Sequence, residues 1–190
     1  MLARVRVATL VAAALMLAGC APAAPPATDP PPATETASTP EPAAPEPAAS
    51  EPPAPDDPNS PLAFTAVDLA GAEVNLADLA GQPVVLWFWA PWCSICRGEG
   101  PGVADVAAAL EDRVTFIGVA GRGEVPAMEV FVADTGTGSF AHLVDDDGSL
   151  WERFGVTYQP AYAFIGADGS VEVLIGALGD TLAERAEALL

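Results

Sequence analysis

The sequence predicts an α/β domain over residues 62–190: a central mixed sheet flanked by helices, with a small β extension ahead of it. Three observations carry this reading. Val84 to Trp89 and Val114 to Ala120 are continuous apolar runs rich in β-branched and aromatic residues, the pattern of strands buried on both faces. A helical segment separates them, so they form a parallel βαβ unit with a right-handed crossover. A later pair of short strands is joined across Asp168-Gly169, a two-residue hairpin signal that adds antiparallel strands.

The chain ahead of this domain has a different texture. Arg4 and Arg6 give it a positive start. Val7 to Leu17 is an apolar run about a dozen residues long, where a membrane span needs ~20. The run ends in Leu17-Ala18-Gly19-Cys20, which resembles the bacterial lipobox. On that reading residues 1–19 are a lipoprotein signal peptide and Cys20 carries diacylglycerol on its sulfur. Residues 20–61 are then the lipidated cysteine and a linker. Fifteen of the twenty prolines fall between 21 and 61, mixed with Ala, Thr, Ser, Glu and Asp. Such a stretch cannot bury enough apolar surface to offset its ordering entropy, and reads as a disordered, extended tether. The expected location is extracytoplasmic, anchored to the cell membrane through Cys20.

The elements follow in order. Phe64 to Asp68 alternates like an edge strand, Gly71 turns it, and Glu73 to Leu76 answers it. Pro83 opens the first buried strand. Ser94 to Leu110 reads as a helix with Ile95, Val103, Val106 and Leu110 on its inner face and Pro101 inside it. After the second buried strand, Glu124 to Asp134 is a helix with Val125, Met128 and Val132 inward. Leu150 to Phe154 is a short helical turn. Ala161 to Ile165 and Val171 to Ile175 are the hairpin strands. Thr181-Leu182-Ala183-Glu184 is a capping box opening a last helix, which turns Leu182, Ala186 and Leu189 inward.

Charge narrows the partners. Twenty-six acids face seven Arg and no Lys, a formal charge of −19. A field of that sign disfavours nucleic acid and anionic surfaces as direct partners.

The chemistry is concentrated in Trp92-Cys93-Ser94-Ile95-Cys96, where a buried strand ends and a helix begins. Free backbone N–H groups and the macrodipole at a helix N-terminus stabilise an anion, so the Cys93 thiolate is favoured. Cys96 lies one turn further in, with its sulfur within reach of the first. Cys93 at the tip would exchange with substrate, and the more buried Cys96 would resolve the mixed disulfide. Half of a zinc site is the main alternative, but it needs two more ligands, and the chain offers only Cys20 and one histidine besides. A structural disulfide closing so short a loop gains little from closure entropy. With Cys20 taken by lipid, the cysteine count is even.

Trp89-Ala90-Pro91-Trp92-Cys93-Ser94-Ile95-Cys96-Arg97-Gly98-Glu99-Gly100-Pro101 resembles the signature of the extracytoplasmic TlpA/ResA/DsbE family. With Leu86-Trp87-Phe88-Trp89 and Tyr158-Gln159-Pro160-Ala161-Tyr162, it is most similar to the DsbE-like secreted proteins of actinobacteria. The resemblance spans residues 62–190. It implies a thioredoxin fold with an N-terminal β extension, and thiol–disulfide exchange through Cys93 and Cys96 with no cofactor beyond that pair. It implies a cis proline at Pro160, after Gln159, facing the active site; these two and Trp92 would contact substrate. X-Pro is where a cis bond costs little, and a proline there leaves a backbone edge for an extended peptide. Expected partners are cysteine-containing exported proteins and a membrane redox partner.

One departure bears on direction. Thioredoxins proper carry a buried Asp where this chain has Trp87, which cannot take a proton. Glu99 is the candidate to handle protons instead. Loss of the buried acid points to an oxidase. The rivals are a reductase of the same fold serving haem attachment to apocytochrome c, and a tethered binding module whose pair stays oxidised. Other motifs fail on spacing. His142 stands alone as a soft ligand and reads as a strand or loop residue. Asp145-Asp146-Asp147-Gly148 lacks the alternating spacing and closing Glu of a calcium loop. Gly121-Arg122-Gly123 lacks the glycine and lysine positions of a phosphate loop. No metal is expected.

Overall fold

The computed structural model describes residues 57–190. The signal-peptide reading of residues 1–19, lipidation of Cys20 and nearly all of the linker lie outside the described residues. Seven strands form: β1 (Thr65–Val67), β2 (Glu73–Asn75), β3 (Val84–Trp89), β4 (Thr115–Gly121), β5 (His142–Asp145), β6 (Ala161–Ile165) and β7 (Val171–Ile175). Four α-helices accompany them: α1 (Ser94–Ala109), α2 (Val125–Thr135), α3 (Ser149–Arg153) and α4 (Thr181–Glu187). A 3₁₀ turn, Leu76–Leu79, follows β2. Among the described residues no helix is long and apolar enough to cross a membrane.

The main sheet has the order β5-β4-β3-β6-β7. β3, β4 and β5 run parallel, while β6 is antiparallel to β3 and β7 to β6. Every residue of β3 is buried, as its unbroken apolar run predicts. Alternation divides that run between two cores. Val85, Trp87 and Trp89 pack with α1, α2 and α4 through Val103, Met128, Phe131 and Leu182. Val84, Leu86 and Phe88 pack on the other face with Leu62, Leu76, Trp151 and Phe154. The β1–β2 hairpin covers the β5 edge: Asp68 bridges Leu143, and Leu69 N–H donates to the His142 carbonyl at 2.9 Å. A covered edge offers no free template for pairing with another chain.

β5, too short at four residues to show a period, has no expected counterpart in the sequence, though His142 falls in a strand. Four local expectations need correction. Ile95 is exposed, because the buried stripe of α1 is Cys96, Gly100, Val103 and Ala107, and Ile95 lies about 100° round from Cys96. Val125 is also exposed, in the first turn of α2, and Phe131 fills the core by stacking on Trp89 with centroids 4.1 Å apart. Thr181 makes no capping box; its hydroxyl donates to the Leu178 carbonyl at 2.8 Å, and the helix starts after Asp180. The β6–β7 connection is longer than two residues: Gly166 N–H bonds the Ser170 carbonyl, and Gly169 turns the chain at φ 80°.

Candidate active site

β3 delivers the chain to the C-terminal end of the sheet, and Ala90-Pro91-Trp92 turns it into α1. Cys93 N–H donates to the Ala90 carbonyl at 3.0 Å, closing that turn. Cys93 is the N-cap of α1, with extended backbone, and its Sγ accepts the Cys96 N–H at 3.1 Å. A sulfur in that position takes the place of a capping oxygen, and satisfies a helix donor with the reactive atom. Cys93 and Cys96 are joined as a disulfide with Cα atoms 5.3 Å apart. Their burial runs in the expected order: Cys96 is fully covered, while Cys93 keeps 6 % of its surface open. Trp92 beside them is exposed, and its indole N–H donates to the Arg122 carbonyl at 2.7 Å.

The Gln159–Pro160 peptide bond is cis. Phe88 pairs with Ala161, so Pro160 precedes β6 at the sheet end from which the Cys93 turn departs. Its carbonyl accepts from Gly176 N–H at 2.7 Å. Gln159 is buried, and its side-chain oxygen has no partner among the described residues.

Glu99 lies three residues after Cys96, on the same side of α1. Its Oε1 accepts from the Trp87 indole N–H at 3.1 Å and from the Tyr162 hydroxyl at 2.7 Å. Oε2 is buried without a partner among the described residues. Burial raises the Glu99 pKa above the usual carboxylate range, against the lowering effect of the hydrogen bonds from Tyr162 and Trp87. The same burial, with the neighbouring carboxylate, raises the Tyr162 phenol far above its ordinary value. Trp87 therefore does not leave the site without an acid: α1 brings a carboxyl to the indole that replaces one. The inference of an oxidase from the missing aspartate loses its footing.

A family model for AhpC/TSA matches residues 58–174, more than half of the chain. The chain belongs to the AhpC/TSA family. It is 48 % identical over 109 residues to soluble secreted antigen MPT53 of Mycobacterium tuberculosis strain H37Rv, an alignment covering 57 % of this chain and 62 % of that protein. The chain thus spans less than two thirds of that relative's length. Two solved structures align with 97 % of their own length. MTB dsbF, in mixed oxidized and reduced forms, is 49 % identical with a TM-score of 0.66 over 68 % of this chain. A secreted Mycobacterium tuberculosis disulfide oxidoreductase, described as homologous to E. coli DsbE, is 42 % identical with a TM-score of 0.63 over 67 %. The fold is the thioredoxin fold, and the expected kinship with DsbE-like proteins is met.

In this AhpC/TSA chain the structure gathers three residues that the sequence quotes in motifs but gives no role at the site. Tyr162 reads as a core strand residue; only its partnership with Glu99, 63 positions away, marks it. Arg97 donates to the Pro91 carbonyl at 3.1 Å and pairs with Asp134 at 2.9 Å. Arg122 has a positive φ of 58°, stacks over Trp151 at 4.5 Å and donates to the Thr157 carbonyl at 3.3 Å. It thus ties the Trp92 loop to the segment leading into Pro160. His142 is a buried strand residue. Nδ1 faces the Trp89 indole N–H at 3.2 Å, and Nε2 lies 2.9 Å from the Thr137 carbonyl. Asp145 accepts the Leu150 and Trp151 N–H groups at 3.0 and 2.9 Å, capping α3.

Proposed function

We propose that this protein is an extracytoplasmic thiol–disulfide oxidoreductase that donates its Cys93–Cys96 disulfide to cysteine pairs of exported proteins. The carrying observation is the capping geometry of Cys93. A sulfur that accepts a helix N–H and sits at the positive end of the macrodipole is stabilised as a thiolate. Stabilising the thiolate favours the dithiol form, and a dithiol so favoured makes its disulfide a stronger oxidant. The secreted disulfide oxidoreductase among the similar structures supports thiol–disulfide exchange itself. A substrate thiolate attacks Cys93, Cys96 leaves, and a second substrate thiolate then displaces Cys93. Trp92, Gln159 and Pro160 would hold the substrate segment beside the sulfur. The lipid on Cys20 would keep the domain at the membrane, where a redox partner reoxidises the pair.

Glu99 favours a second reading. A buried carboxyl one turn beyond Cys96 suits the inner cysteine's deprotonation when it resolves a mixed disulfide, the step a reductase of apocytochrome c would need. Equilibrating the full-length protein with glutathione separates the two. A potential near or above ~−180 mV supports donation, and one near ~−270 mV supports the reductase. Cys96→Ser should hold exported proteins as mixed disulfides on Cys93, and Cys93→Ser should hold none. Capture of nothing by Cys96→Ser would leave only the binding module.

A further inference from the structure

Arg97 occupies a position that helix chemistry disfavours. It stands in the first turn of α1, where the macrodipole is positive and acids, not cations, are stabilising. That turn holds no acid. Residues that break a local rule are expected at functional or strained sites.

The side chain, with 40 % of its surface open, folds back along the protein. One guanidinium nitrogen donates to the Pro91 carbonyl at 3.1 Å, two residues before Cys93. The other pairs with Asp134 on α2 at 2.9 Å. The guanidinium carbon lies 5.0 Å over the ring of Phe131, which is fully buried and stacked on Trp89. The Arg97 backbone N–H also donates to the Cys93 carbonyl at 3.0 Å. A carbonyl and an aromatic face fix the cation against the loop that carries Cys93 without neutralising it. Among the described residues Asp134 is its one ion-pair partner. Glu99 bonds Trp87 and Tyr162, Arg122 lies over Trp151 and bonds the Thr157 carbonyl, and Glu124 stands exposed ahead of α2.

We propose that Arg97 is a positioning residue that holds a positive charge beside Cys93 to stabilise its thiolate, and that Asp134 sets how much of that charge the sulfur feels. The inference rests on the disulfide-exchange reading above and deepens it. In the forward reaction a substrate thiolate bonds to Cys93 Sγ as the Cys93–Cys96 bond breaks, and Cys96 leaves as a thiolate that takes up a proton. A second substrate thiolate then attacks the substrate sulfur of the mixed disulfide. Cys93 departs as a thiolate with the electron pair of the broken S–S bond. The substrate is oxidised, the protein is reduced, and Arg97 stabilises the departing sulfur.

The test uses the full-length chain and three variants: Arg97→Gln, Asp134→Asn and the double variant. Each is equilibrated with glutathione, and Cys93 alkylation is followed against pH. Arg97→Gln should lower the equilibrium constant for reducing the protein disulfide about three- to tenfold, ~15–30 mV, and move the alkylation midpoint to higher pH. Asp134→Asn should shift both readouts the opposite way. In the double variant the Asp134→Asn effect should vanish. Arg97→Lys should recover part of the potential, since it restores charge without the fork. Two single variants shifting in the same direction, or neither shifting, would reduce Arg97 to a structural clamp and overturn the proposal. Failure of the exchange reading shows separately, as a parent protein that oxidises no dithiol substrate.

Discussion

Glu99 is a carboxyl with two donors on one oxygen and none on the other. A protonated carboxyl suits that environment, because burial penalises the charge more than Trp87 and Tyr162 compensate. The raised pKa fixes the sign of a stability effect. Below the ordinary glutamate value both folded and unfolded chains hold the proton, and nothing is lost. As pH rises through the folded pKa, the unfolded chain gains by ionising freely while the folded chain pays to follow. Glu99→Gln should therefore raise the urea midpoint at pH 7.5 and leave it unchanged near pH 4. If Glu99 also moves the Cys96 proton, the same variant should lower kcat/KM by roughly 10²-fold. A variant that is more stable yet slower separates proton handling from packing. The sequence offers Glu99 as a proton handler, but not its burial or the stability effect that follows. The spacing Cys96-x-x-Glu99 puts the carboxyl on the cysteine's side, but the closing contacts come from Trp87 on β3 and Tyr162 on β6.

At the scale of elements, β3 and α1 are legible because each shows its period over enough residues. β5 is not, because its four residues owe their place to neighbours. Gly118 on β4 stands opposite His142 in the register, and a Cβ there would collide with the imidazole. The missing side chain admits the ring, which then accepts from Trp89 and reaches the Thr137 carbonyl. Burial holds the His142 pKa below its ordinary value, so the folded strand keeps a neutral ring. Gly118→Ala should cost ~1–3 kcal/mol by overpacking, read as a lower urea midpoint. The cost should reach the site, since Trp89 leads directly into the Cys93 turn. Unchanged stability would mean that β5 and its ring shift freely, and that the Trp89–His142 contact does not brace the turn.

Across the whole molecule, the order of the sheet decides what the sequence can disclose. Parallel β3 and β4 come from one sequential unit and read off the chain in order, while β6 inserts beside β3 and brings Pro160 to the same end as Cys93. Cys93 and Cys96 are legible because disulfide chemistry fixes their spacing; Pro160 is placed by family resemblance, and Arg97 and Arg122 only by tertiary contact. Net charge is a property of the whole chain and acts at longer range. Over residues 57–190 twenty acids stand against five Arg, which gives the domain carrying the exposed Trp92 a net negative field. Such a field steers cationic partners and repels anionic ones within a Debye length, ~8 Å at physiological salt. Two dithiol peptides of equal length, one basic and one acidic around the same cysteines, should therefore be oxidised at different rates. At ~20 mM salt the basic peptide should lead by roughly tenfold, and the gap should close near ~0.5 M. A ratio that ignores salt would show that apolar contact around Trp92, not the field, selects the substrate. A ratio that falls with salt would make flanking charge a criterion for which dithiols this disulfide oxidises.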